Sequence, residues 1–295
     1  MLSKLDLYRI FDAVAQNSSF SQAAKQLYLT QPAVSQSIMQ LENELAVRLF
    51  KRTSKGVTLT QEGTLLYDYV HSAIHLIESG ENKVQELKTL TAGTITIGVG
   101  DTISRYYLLP YLENFHRRYP DIKFKLINGT TSELCTILKT GQIDIAICNF
   151  PIEDDKLELI PCQEIQDTFV CGEQYKKDFT NPISLTELVK YPLICLDNAS
   201  ISRQFIDEFM ESHGIQLVPE FELGAHDLLL DFAKINLGIA CVTREFAADY
   251  LKDGSLTEIQ LTEQIPKRSI GICYLKSVPL NTASLKFIAG MASPL

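Results

Sequence analysis

The chain has 295 residues, 45% of them apolar, and 27 Lys and Arg against 36 Asp and Glu give a formal charge of −9. That length fits about two domains with ample core, and no run reaches the ~18 apolar residues that a membrane-spanning helix needs. Asp6 and Asp12 near the start argue against a secretory leader.

The charge is unevenly divided. Residues 1–63 carry +2 and the remainder −11, so basic surface is confined to the first part. Seven cysteines are scattered without a C-x-x-C pair, and Cys148, Cys195, Cys241 and Cys273 fall in apolar, strand-like runs. This is the usage of buried free thiols in a reducing compartment, with redox sensing at Cys135 or Cys162 unsupported by spacing.

Leu5 to Gln16 predicts a first helix with a stripe of Leu7, Ile10, Phe11 and Val14. Phe20 to Leu49 then reads as two short helices joined by Tyr28 to Thr30. Ala23, Ala24 and Leu27 line one face of the first, and Val34, Ile38, Leu41 and Leu45 one face of the second. Thr30 suits the N-cap of the second helix, and Pro32 sits in its first turn, where the missing N–H costs nothing. The spacing fits a helix-turn-helix. The opposite face offers Gln31, Ser35, Gln36 and Gln40, uncharged groups that hydrogen-bond base edges. Periodicity alone equally allows an ordinary solvated face.

Arg48, Lys51, Arg52 and Lys55 follow in a stretch without acids, with Thr53, Ser54 and Gly56 as turn chemistry and Val57-Thr58-Leu59 alternating like a strand. A basic hairpin there would lie on a sugar-phosphate backbone as a wing.

Thr60 opens a helical stretch to about Leu90. Leu66, Val70, Ala73, Ile77, Gly80, Val84 and Leu87 form a heptad seam, expected to pair with a second copy, the alternative being a helix packed on its own effector domain. About 28 residues make a rod of roughly 40 Å. His71 and His75 fall off the seam, lack a third ligand, and read as solvated.

From Thr94 strands alternate with helices: Thr94–Gly100, a turn at Asp101–Arg105, a helix at Pro110–Tyr119, a strand at Ile122–Ile127, and a capping box at Thr130-x-x-Glu133. Strand Gln142–Cys148 closes the first set. The second comprises strands at Thr168–Cys171, Pro192–Leu196, Glu220–Leu223 and Gly238–Val242, with helices at Leu185–Val189, Ile201–Ser212, His226–Lys234 and Thr243–Tyr250. A strand at Ser269–Tyr274 and a helix at Thr282–Met291 return to the first set. The alternation predicts α/β lobes on parallel sheets.

The run SFSQAAKQLYLTQPAVSQSIMQLENELAVRLFKRTSKGVTLTQEG, with its S-F-x-x-A-A-x-x-L, T-Q-P-A-V-S, L-E-x-E-L, R-L-F-x-R and L-T-x-x-G elements, resembles the N-terminal winged helix-turn-helix of LysR-type transcriptional regulators. The pattern departs at Gln36, often Arg, and at Ala46, usually Gly. G-Q-I-D-I-A-I and N-L-G-I-A-C-V-T-R resemble the family's effector domain more loosely. The resemblance implies an α/β chain: an all-α winged helix-turn-helix (1–63), a long linker and dimerisation helix (64–91), and a two-lobed periplasmic-binding-protein-like effector domain (92–295). Lobe 1 is expected at about 92–166 plus 268–295, and lobe 2 at about 167–267.

On this reading Thr30, Gln31, Pro32, Ser35, Gln36, Lys51, Arg52, Ser54 and Lys55 contact DNA. Ligands of open α/β sheets bind beyond the C-terminal strand ends. Thr102, Ser104, Thr130, Thr131, Asn149, Ser200, Ile201 and His226 gather there as donors suited to an anionic metabolite, or simply as helix caps. Arg105 and His226 would add charge, with Arg105 equally able to point to solvent. The family resemblance implies that Thr102, Thr130 and the Ser200–Ser202 loop line the cleft, that an interrupted inverted repeat of double-stranded DNA is read by a homodimer or homotetramer, and that RNA polymerase is a further partner. No cofactor, metal or catalytic residue is expected, because no G-x-S-x-G, P-loop or G-x-G-x-x-G occurs. The expected protein is a cytoplasmic regulator modulated by a small molecule. The alternative is a constitutive DNA binder whose C-terminal domain serves only oligomerisation.

Overall fold

The computed structural model describes residues 4–53, 56–89 and 93–291. Contacts divide the chain into two compact units, residues 1–89 with 140–142, and residues 90–139 with 143–295.

The first unit opens with α1 (Lys4–Asn17), α2 (Phe20–Gln26) and α3 (Gln31–Leu45). Their apolar stripes converge: Leu7, Phe11, Val14, Ala23, Val34, Ile38 and Leu41 are buried in one core. The hairpin β1 (Phe50–Thr53) and β2 (Gly56–Leu59) pairs antiparallel, Phe50 opposite Leu59. Then α4 (Gln61–Thr89) begins behind Thr60, whose Oγ1 accepts the Gly63 N–H at 3.0 Å. Gly63 is obligatory there, since a Cβ would meet the Leu49 carbonyl oxygen at 2.1 Å.

The heptad seam does not hold along its whole length. Val70 belongs to the core of this unit, with Leu66 packed against it and Ile74 buried one turn on. The helix therefore spends its early seam on α1. What remains exposed is Leu65, Tyr69, Ala73, Ile77, Gly80 and Val84, a stripe displaced by one residue at its start. The side chain of Leu87 is outside the described set.

The second unit comprises β3 (Thr94–Val99), α5 (Asp101–Ile103), a π-helical segment (Ser104–Leu108), α6 (Leu109–Arg118), β4 (Lys123–Ile127), α7 (Thr131–Lys139), β5 (Ile145–Phe150) and β6 (Leu157–Ile165). It continues through β7 (Asp167–Cys171), α8 (Leu185–Leu188), β8 (Leu193–Leu196), α9 (Ile201–Ser212), β9 (Phe221–Leu223), α10 (His226–Lys234) and β10 (Ile239–Thr243). It closes with α11 (Ala248–Lys252), β11 (Thr257–Ile259), β12 (Arg268–Leu275) and α12 (Thr282–Met291).

Two five-stranded sheets result, β4-β3-β5-β12-β6 and β11-β7-β10-β8-β9. Neither is wholly parallel, contrary to the sequence expectation. β12 runs antiparallel to β5 and β6, and β7 antiparallel to β10 and β11. The cause is the chain path: β12 returns from the second lobe and enters the first sheet from the far end. As expected, β12 and α12 rejoin the first lobe, where Phe287 packs on Phe115 and Phe124. The stretch expected as a turn at Asp101–Arg105 is instead helical, and 101–118 is one continuous helical run through the π segment.

Candidate functional site

Two places gather chemistry. In the first unit, Thr30 caps α3 with its hydroxyl accepting the Ala33 N–H at 3.4 Å, and Pro32 occupies the first turn. Gln31, Pro32, Gln36 and Gln40 are exposed; Ser35 is half-buried and accepts from Gln31 Nε2 at 2.9 Å. Gln31 and Ser35 thus present themselves as one hydrogen-bonded pair. Gln40 is similarly held by Glu44 at 3.0 Å.

The hairpin is fastened to α3 by one carboxylate. Buried Glu42 accepts the Leu49 and Phe50 N–H groups at 2.8 and 3.3 Å and the Arg48 guanidinium at 2.7 Å. Lys51 is exposed on β1. The backbone of Arg52 lies in β1, but its side chain, like Ser54 and Lys55 altogether, is outside the described residues.

In the second unit a cavity of about 450 Å³ opens between the lobes, within the range of small-molecule sites. Thr102, Thr130, Thr131, Asn149, Ser200, Ile201 and His226 line it; Ser104 does not. Ser104 belongs to the π segment, with its N–H donating to Gly100 O at 2.9 Å. The helical continuation through Asp101–Arg105 is what takes it away from the lining.

The capping alternative resolves residue by residue. Thr130 is a cap: its Oγ1 accepts the Glu133 N–H at 3.4 Å, and Glu133 Oε2 accepts the Thr130 N–H at 2.8 Å. The bonds its carboxylate accepts from the Thr130 N–H and hydroxyl hold Glu133 below its ordinary pKa. Ser200 sits at the N-cap of α9 but makes no side-chain cap bond. Among the described residues the hydroxyls of Ser200 and Thr102 hold no hydrogen-bond partner.

His226 is 4% exposed. Its Nε2 accepts the Thr243 N–H at 3.1 Å, which leaves the ring proton on Nδ1, and Nδ1 has no partner. Burial pushes the imidazole down to about 4, so it is neutral at neutral pH. Asp227 beside it joins the lobes, accepting Arg105 Nη1 at 2.7 Å and the Tyr106 hydroxyl at 2.5 Å.

Two family models cover the chain. "Bacterial regulatory helix-turn-helix protein, lysR family" matches residues 5–64, and "LysR substrate binding domain" matches residues 88–292. The chain belongs to the LysR family. It is a LysR-type transcriptional regulator with a helix-turn-helix DNA-binding domain and an effector-binding domain.

This LysR regulator is 31% identical over 274 residues to the probable RuBisCO transcriptional regulator of Porphyra purpurea, across 91% of this chain and 86% of that protein. In fold it is similar to full-length CbnR complexed with its target DNA, with a TM-score of 0.66 at 17% identity, covering 98% of each chain. It is also similar to the effector-binding domain of QuiR in complex with shikimate, with a TM-score of 0.61 at 20% identity, covering 68% of this chain and 96% of that one.

Several residues of this LysR regulator escaped the sequence reading. Tyr28, in the turn before α3, is 97% exposed with a φ of 55°, and Met39 on α3 is also exposed. In the cleft, Asp101, Asn128, Asp197 and Asp227 line the cavity. Asp227 opens no recognisable motif; only its place in the first turn of a helix ending a strand–turn unit would have pointed to it.

Proposed function

We propose that this regulator reads an interrupted inverted repeat of double-stranded DNA as a homodimer or homotetramer in the cytoplasm, and that a small metabolite in the interlobe cavity modulates it. The domain division proposed is 1–63 for DNA binding, 64–91 for the linker helix and 92–295 for the effector domain.

The cavity carries the reading: a 450 Å³ space with unspent hydroxyls at Thr102 and Ser200 and a buried, unpartnered His226 N–H. A domain serving only oligomerisation has no use for such a space. Gln31 with Ser35, and Gln36, would contact bases, while Lys51, Arg52, Ser54 and Lys55 would hold phosphates. The exposed stripe from Leu65 to Val84 supports pairing along α4. No described helix is long and apolar enough to cross a membrane. The reading assigns no catalysis and no resident cofactor, and RNA polymerase would be met at the promoter.

The effector acts only through its differential affinity for two lobe arrangements, which α4 passes to the spacing of the wings. Footprinting of the full chain on its own promoter, with and without a ligand proven to bind, tests the coupling. An altered footprint or altered transcription is expected; neither changing overturns it.

A further inference from the structure

The cleft is ringed by helix N-termini: the starts of α5, α7, α9 and α10 all contribute lining. Such termini attract anions through free N–H groups and the helix dipole. Three of them already have one. Asp101 sits in the first turn of α5, Glu133 in that of α7 and Asp227 in that of α10. Only α9 has no acid in its first turn. Asp197, just before it, spends Oδ1 on the Ala199 N–H at 3.1 Å.

The lining therefore holds four carboxylates and one guanidinium, Arg105, which Asp227 already engages. Asp101 takes a bond from the neutral Asn128 amide, and Glu133 takes bonds from Thr130. Among the described residues neither has a cationic partner. A multiply charged anion would enter a cavity of its own sign. The anchor points are the start of α9, with the free Ser200 hydroxyl, and behind the surface of the same wall the buried, unpartnered Nδ1–H of His226, a residue that lines the cavity. Both ask for an oxygen acceptor. Asp101 and Glu133, on the other lobe, ask for a donor or a cation.

We propose that the cleft selects a zwitterion of net charge zero, its carboxylate held by the α9 N-terminus and His226 Nδ1–H and its ammonium group by Asp101 and Glu133. The proposal rests on the cavity being the effector site. Amino acids are the chemical class that fits. One ligand then touches both lobes with opposite charges at its two ends, which is a means of setting the angle between them.

Thermal-shift and calorimetric titration of the full chain tests this, with the twenty protein amino acids, the deaminated acids that match them, citrate and fructose 1,6-bisphosphate as probes. At least one amino acid is expected to raise the melting temperature and to bind at least tenfold more tightly than its deaminated counterpart. Asp101→Asn should weaken that amino acid several-fold while narrowing the gap to the deaminated acid, and His226→Phe should weaken both. Tighter binding of citrate, the bisphosphate or a deaminated acid, lost in His226→Phe, overturns the zwitterion and leaves the cavity as effector site. Binding that neither substitution touches overturns both, and no binding by any probe overturns the zwitterion alone.

Discussion

Arg268 clasps Asp167 where the chain crosses between the lobes, Nε on Oδ2 at 2.5 Å and Nη2 on Oδ1 at 2.7 Å, with both side chains almost wholly buried. Asp167 begins β7 and Arg268 begins β12, the first strands after each crossing. The guanidinium also donates to Thr243 Oγ1 at 3.0 Å and Asn149 Oδ1 at 2.7 Å, and both of these line the interlobe cavity. One buried ion pair thus ties the two crossings to the cavity floor.

Arg268→Ala is expected to destabilise the effector domain by ~3–5 kcal/mol, because it strands a buried carboxylate. Replacing both partners with apolar residues of similar volume should cost much less than the single change. Urea unfolding of the full chain, following the effector-domain transition, measures this. A loss below about 1 kcal/mol for Arg268→Ala would show that water reaches the pair.

The proposed DNA contacts divide into readers and holders. Gln36→Ala should cost ~1–3 kcal/mol of discrimination at particular base pairs. Lys51→Ala should weaken all sequences alike and lower the salt slope by about 1. Competition binding against point-substituted operators at several salt concentrations separates the two. The same loss on every operator from Gln36→Ala would remove α3 from base reading.

Ala46 holds the left-handed conformation that ends α3, with φ 56° and ψ 29°. That region costs a residue with a Cβ ~1–2 kcal/mol, whereas glycine gives back about 0.5–1 kcal/mol in unfolded-state entropy. Ala46→Gly should therefore stabilise the first unit by on the order of 0.5–1 kcal/mol, a rise of a few degrees in its melting transition. A fall in that transition would refute the strain.

The pH dependence of the effector domain should carry the signature of His226. Its folded-state pKa is pushed down to about 4 from 6.5 by burial. Between those values the unfolded chain binds the proton and the folded chain does not, so stability falls as pH drops from about 6.5 towards 4 and is unaffected above. The loss across that window is on the order of 3 kcal/mol. His226→Phe should flatten the slope in urea titrations at stepped pH; an unchanged slope would assign it to other groups.

The N-terminal unit was legible because its signals are local. Thr30, Pro32 and the Val34–Ile38–Leu41 spacing specify α3 within one stretch of chain, and the Thr130-x-x-Glu133 box likewise announced itself. The early part of the α4 seam misled, since Leu66 and Val70 satisfy a heptad and a core face equally well. Strand β6 was missed behind the acidic stretch at Asp154 and Asp155, and with it the antiparallel pairing to β12. Of the cleft's charge, Arg105 was legible but its partner was not: Arg105 and Asp227 stand 122 residues apart. No spacing rule reports an encounter made by folding two lobes together.

Glu42 gives the reading head a further property. One carboxylate from the last turn of α3 accepts the Leu49 and Phe50 amides at the entry to the hairpin and pairs with Arg48. Helix and hairpin would therefore meet a duplex as a single piece, and neither can be re-aimed without releasing the other. New operator preferences in this chain should come by exchanging side chains on a fixed frame, with the phosphate grip carried along unchanged.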